Sequence, residues 1–160
     1  MFLIFVFSIF WDSDIFAFQF NNYKWGESYF ILVNQIKAEK KGLIKNTEEK
    51  IVYKDNIFGK NCEISLYFTP KGRYLSFIQV VWPGTDKASE IRDILTRKYG
   101  APHQQKAYVD IYVWFSDISE KKIVLDYASG EIKLKYYGGK YYTEYQKEMS
   151  RKYPAQAGRL

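Results

Sequence analysis

One histidine and one cysteine limit what this chain can do by side-chain chemistry. Nucleophilic catalysis needs a nucleophile, a base within reach and a group that orients the base. His103 is the single imidazole, and its setting, "GAPHQQK", reads as a solvated loop just past a helix exit. No G-x-S-x-G, H-E-x-x-H or phosphate-loop string is present. "YGGKYYTE" reads as a turn after a strand. Cys62 cannot form an internal disulfide, excludes a cysteine-based zinc site and reads as a small buried residue. Paired carboxylates hydrolyse glycosides when held at the right separation. Asp110 and Asp126 fall on strand-like segments, but as solvated charges facing Lys133 or Lys135 they need no such role. "WDSDIF" is too short for a calcium loop. No catalytic residue, cofactor or metal is therefore expected.

The elements that must position any site follow from periodicity. Tyr29, Leu32, Val33, Ile36 and Leu43 are spaced for one helical face, with Ser28 as N-cap and Gly42 as the closing residue. Three strand-like runs follow: "KIVYKDNIF", "CEISLYFT" and "YLSFIQVVW". "PKGR" between the last two is a tight turn, with glycine supplying a positive φ. "PGTDKASEIRDILTRKYGAP" reads as a second helix with Thr85 or Asp86 as cap, a buried stripe of Ala88, Ile91, Ile94 and Leu95, and an exit at Gly100 and Pro102. "YVDIYVWFSD", "KKIVLDY" and "EIKLKYY" are three more strands, the last two joined by a turn at Ser129-Gly130.

The predicted fold class is α+β. An antiparallel β-meander carries two main helices on one face, in a weak αβββ-αβββ duplication. Residues 18–153 form one domain, with halves at about 24–82 and 83–137, a terminal helix at about 141–153 and a flexible tail at 154–160.

Composition agrees with a folded, strand-rich domain. Hydrophobic residues make up 47% of the chain, and 15 Tyr with 12 Phe favour strands. The net charge of +6 is scattered rather than clustered, so it reads as a solvated lysine-rich surface. "MFLIFVFSIFW" is too short to span a bilayer, which takes roughly 20 apolar residues. It matches the apolar core of a secretory signal, so residues 1–17 are expected to be a signal peptide ending at Ala17, although no Lys or Arg precedes the run. The mature chain would have no membrane span and would be periplasmic or secreted. A buried N-terminal strand is the alternative.

"FNNYKWGES", "LYFTPKGRYLSFIQVVW", "ILTRKYGAP" and the following strand with Trp resemble a type of small exported bacterial protein of unassigned function. The matching positions are Phe20, Trp25, Gly26, Ser28, Leu95, Lys98, Tyr99, Gly100, Pro102 and Trp114. The helix-plus-meander layout is also similar to the β-lactamase-inhibitor protein type and to the small lipoprotein of the outer-membrane barrel assembly machine. That resemblance implies protein binding without catalysis. The chain lacks the disulfides of the first and the lipid-bearing cysteine of the second.

Strand alternation selects a candidate surface. Val109, Ile111, Val113 and Phe115 are assigned to the core, and Tyr108, Asp110, Tyr112 and Trp114 to the opposite face. Glu63, Tyr67, Asp126, Lys133, Lys135 and Tyr137 join that opposite face. Rings offer much contact area at low entropy cost. The expected binding surface is therefore Tyr67, Tyr108, Asp110, Tyr112, Trp114, Lys133, Lys135 and Tyr137, for a protein or cell-envelope partner. Coverage of this face by the terminal helix is a further possibility. Alternatives are an inhibitor of a secreted or periplasmic enzyme, a sheet that stacks single-stranded nucleic acid, and a small hydrolase. Acidic residues on the same face argue against nucleic acid.

Overall fold

The computed structural model describes residues 20–154. The expected signal peptide, residues 1–17, lies outside them, and so does the tail beyond Pro154. The elements are α1 (Tyr29–Ala38), β1 (Gly42–Thr47), β2 (Lys50–Ile57), β3 (Lys60–Phe68) and β4 (Leu75–Pro83). Then come α2 (Ala88–Tyr99), β5 (Gln104–Lys106), a 3-10 turn (Ala107–Val109), β6 (Ile111–Ser116), β7 (Lys121–Asp126), β8 (Glu131–Tyr137) and α3 (Lys140–Lys152).

The strands form one antiparallel sheet in the order β1-β2-β3-β4-β8-β7-β6-β5. Each half of the chain is a helix followed by four strands, not three. β1 and β5 had no sequence signal of their own and lie at the two edges. The last strands of the halves, β4 and β8, pair at the centre from Phe77↔Tyr137 to Pro83↔Glu131. The duplication is thus a spatial one, with each half laid out from the shared centre toward its own edge.

One sheet face carries the core. Its cross-strand row Ile51, Leu66, Ile78, Tyr136, Ile123 and Trp114 is buried throughout. Leu32, Val33 and Ile36 of α1 and Ala88, Ile91 and Leu95 of α2 close over it in the same cluster. Two amphipathic helices bury their stripes against one sheet, as expected of this class.

The helix ends follow the sequence only partly. Ser28 caps α1, its Oγ accepting the Phe30 N–H at 3.3 Å. The C-terminus closes at Lys40, not at Gly42, which begins β1. Lys40 takes φ 53°, and the Lys41 and Lys40 N–H groups return to the carbonyls of Ile36 and Lys37. That is a Schellman closure with lysine where glycine is usual. No side chain caps α2, because Asp86 is instead held in an ion pair with Lys60. In the "PKGR" turn the left-handed residue is Arg73, φ 53°, not Gly72. Gly72 instead makes room for the Tyr74 ring, whose Cδ2 would stand 2.5 Å from an added Cβ.

The stretch "KWGES" interlocks with the start of α3. Trp25 lies on Gly138, and Tyr141 lies on Gly26, so that a Cβ on either glycine would collide with the ring. Gly26 also has φ 81°, and its N–H donates to the Leu75 carbonyl at 2.9 Å. The N-terminal entry therefore does more than start a helix: it clasps the C-terminal one.

Candidate functional site

The far face of the sheet divides into two regions. In the first, Tyr67, Phe77 and Tyr137 stand side by side on β3, β4 and β8, with ring centroids 5.0 Å apart at each step. Lys50 lies 4.7 Å above the outer Tyr67 ring and Lys122 4.4 Å above Tyr137, a cation–π contact at each end. α3 packs onto this ladder. Tyr142 meets Tyr137 edge-on at 4.7 Å, and Tyr145 meets Tyr67 at 6.4 Å. Burial raises the Tyr137 and Tyr145 phenols to about 12, so both stay neutral. Tyr67 and Tyr137 are thus on the expected face, but the terminal helix covers them and makes them a small second core.

Among the described residues, none covers the second region in this way. Its outer row is Lys54, Glu63, Val81, Lys133, Asp126, Ile111 and Lys106, drawn from seven strands in unbroken register. Beside it run Gln79, Lys135, Val124 and Val113. All of these side chains are exposed or half-buried. Lys133 donates to Glu131 at 2.9 Å and to Ser129 Oγ at 3.2 Å. A shallow depression of about 490 Å³ opens here, lined by Lys54, Glu63, Gln79, Val81, Glu131 and Lys133.

Four expected site residues sit elsewhere. Tyr112 and Trp114 point to the helix side, at 6% and 0% exposure. Trp114 Nε1 donates to the Gly100 carbonyl at 2.9 Å, at the end of α2. Tyr112 Oη accepts from Tyr127 at 3.3 Å and from Arg92 at 3.5 Å, which holds its phenol below the ordinary tyrosine value. Conversely Ile111, Val113 and Phe115, assigned to the core, belong to the far face. Tyr108 is fully exposed but lies in the 3-10 turn, off the sheet. Asp110 takes φ 50° before β6 begins. Its carbonyl accepts the Tyr127 N–H at 3.3 Å, which places Asp110 at the end of β7 beside Tyr127. Asp126 lies on the far face opposite Lys133, so the two aspartates do not form a facing pair across neighbouring strands.

Comparison of the chain with protein-family models, with curated proteins and with solved structures finds no match.

The remaining chemical candidates are accounted for by packing. Cys62 is buried, its thiol is pushed up to about 11 by burial, and the Asp55 carbonyl lies 3.5 Å from Sγ. Such a thiol is protonated at neutral pH and is a poor nucleophile. His103 Nδ1 accepts the Phe115 N–H at 3.3 Å, and its ring lies 4.3 Å from that of Phe115. The imidazole thus caps the edge of β6. Among the described residues, no three of His, Cys, Asp and Glu gather to hold a metal. Among them, too, no helix is long and apolar enough to cross a membrane.

Proposed function

We propose that this chain is an exported, non-enzymatic binding module whose working surface is the uncovered half of the far sheet face. The observation that carries the reading is the outer row from Lys54 to Lys106, in which charges of both signs are interspersed with half-buried Val81 and Ile111 across one continuous sheet. A wide sheet fixes the spacing of these groups without further ordering, which lowers the entropy cost of binding. The mixed signs favour a protein partner. A uniformly anionic surface, whether nucleic acid or membrane, would be repelled by Glu63, Asp126 and Glu131, whereas a protein can match each charge in turn. The rings that would have stacked bases, Tyr112 and Trp114, face the core. The resemblance to the β-lactamase-inhibitor protein type is one of sequence layout alone and points the same way by analogy, with inhibition of an exported enzyme as one form of such binding. Export rests on the apolar segment before Phe18.

The test is isolation from the native source of wild-type chain and of a Lys54→Glu, Lys135→Glu variant. Both sites are on the surface, so stability should change by no more than about 0.5 kcal/mol per site. The expected result is a partner that co-purifies with the wild type only, and a chain mass that starts near Phe18. Co-purification with the variant as well would move the binding surface elsewhere, and a full-length mass would remove export.

A further inference from the structure

At another end of the sheet, the β3–β4 turn and α3 enclose a cleft of about 590 Å³. Its walls are two tyrosines, Tyr74 and Tyr141, with ring centroids 6.3 Å apart. Each ring is seated on a glycine, Tyr74 on Gly72 and Tyr141 on Gly26, where any larger residue would collide. Glu148 lies in the lining and is only 7% exposed. Its Oε2 accepts the Lys71 N–H at 2.6 Å. Among the described residues no Lys or Arg makes an ion pair with it. Glu144, one turn earlier on α3, adds an exposed carboxylate at the rim. Lys71 and Lys140 also line the cleft, and the Lys140 ammonium stands 5.2 Å from the Tyr141 ring centroid.

A buried carboxylate without a countercharge is costly. Two aromatic faces beside it add ring quadrupoles to its negative charge, the combination that a compact organic cation binds best. We infer that this cleft is a binding site for an alkylammonium group, held between Tyr74 and Tyr141 with its charge against Glu148. The site does not depend on the sheet-face reading. It is built from a different turn and helix, and Lys140 already occupies the position beside Tyr141 that a ligand ammonium would share.

The test is an NMR titration of the ¹⁵N-labelled chain with n-butylammonium chloride, with n-butanol as the neutral control. Saturable shifts are expected at the amides of Gly72, Tyr74, Tyr141 and Glu148, and none of comparable affinity with butanol. Glu148→Gln keeps an oxygen for the Lys71 N–H but removes the charge. It should weaken binding about tenfold or more, as expected for loss of a charge-assisted contact. Tyr74→Ala alters a half-exposed ring, leaves the buried carboxylate in place, and should also weaken binding. Lys140→Met should strengthen it by removing the internal competitor. Absence of saturable shifts in the wild type, equal affinity in Glu148→Gln or in Tyr74→Ala, or equal binding of butanol would each overturn the inference.

Discussion

Trp114→Ala is expected to destabilise the chain by about 3–5 kcal/mol, the usual cost of deleting a fully buried large ring. Trp114 has no exposed surface and lies in the core row beside Ile123 and Tyr136. Truncation leaves a cavity under the helices. It also removes the indole donor from the Gly100 carbonyl, at the point where α2 ends. Gly100 is itself exposed, so water replaces the indole at its carbonyl, and the lost hydrogen bond adds only about 0.5–1.5 kcal/mol to the cavity cost. Trp114→Phe separates the two effects, because it retains most of the packing and loses only the hydrogen bond. Urea denaturation measures both variants. A change below about 1 kcal/mol for Trp114→Ala, typical of a surface site, would mean that the ring faces solvent.

Gly139→Ala is expected to cost about 3 kcal/mol or more, because backbone strain and overpacking add at one position. Gly139 has φ 57° and ψ −124°, a region essentially reserved for glycine. A Cβ there would collide with the Ser119 carbonyl oxygen in the β6–β7 connection. Neither the backbone oxygen nor the helix start can move independently. Gly138 is held just before it by its N–H to the Ser76 carbonyl at 2.9 Å and by the Trp25 ring above it. The substitution should therefore loosen α3 from the aromatic ladder. Limited proteolysis would then cut within α3 before the rest of the chain. Gly130→Ala is the control. Gly130 also has a positive φ, 82°, but nothing stands within 4 Å of its Cβ position. Only the conformational cost of about 1 kcal/mol should remain. Equal losses at the two sites would remove the collision with Ser119 from the account.

Much of the architecture was legible because its periods are strong. Six strands, three helices and the antiparallel meander follow from alternation, a helical stripe and turn residues. The two edge strands were not. β1 is exposed along its whole length, its apolar residues Leu43 and Ile44 are adjacent rather than alternating, and its register is bulged there. β5 has only three residues. An edge strand leaves little hydrophobic signature when neither face is buried.

The site was legible in part for a related reason. "IYVWF" is apolar on both parities, so alternation alone leaves two equivalent assignments, and choosing the wrong one moves every side chain to the other face. What decides it is volume. Tyr112 and Trp114 fill the space under α2, while the smaller Ile111 and Val113 suit a half-exposed surface. The left-handed Asp110 starts the strand three residues later than the pattern "YVDIYVWF" suggests. Where both the charges and the period pointed one way, as for Tyr67, Lys133, Lys135 and Tyr137, the assignment to the far face agrees with the structure. That α3 would claim the tyrosines and leave the lysines open depends on contacts between residues far apart in sequence. Trp25 on Gly138 and Tyr141 on Gly26 hold that helix in place.

The central claim is that the lysine-bearing half of the far face is the surface that meets a partner. Lysine-reactive footprinting of the chain, compared between an extract of its native source and the purified protein, tests it most directly. The account predicts that Lys54, Lys133 and Lys135 are protected in the extract, while Lys37 on α1 and Lys98 on α2 react equally in both. Protection of Lys37 and Lys98 with Lys133 and Lys135 left reactive would contradict it.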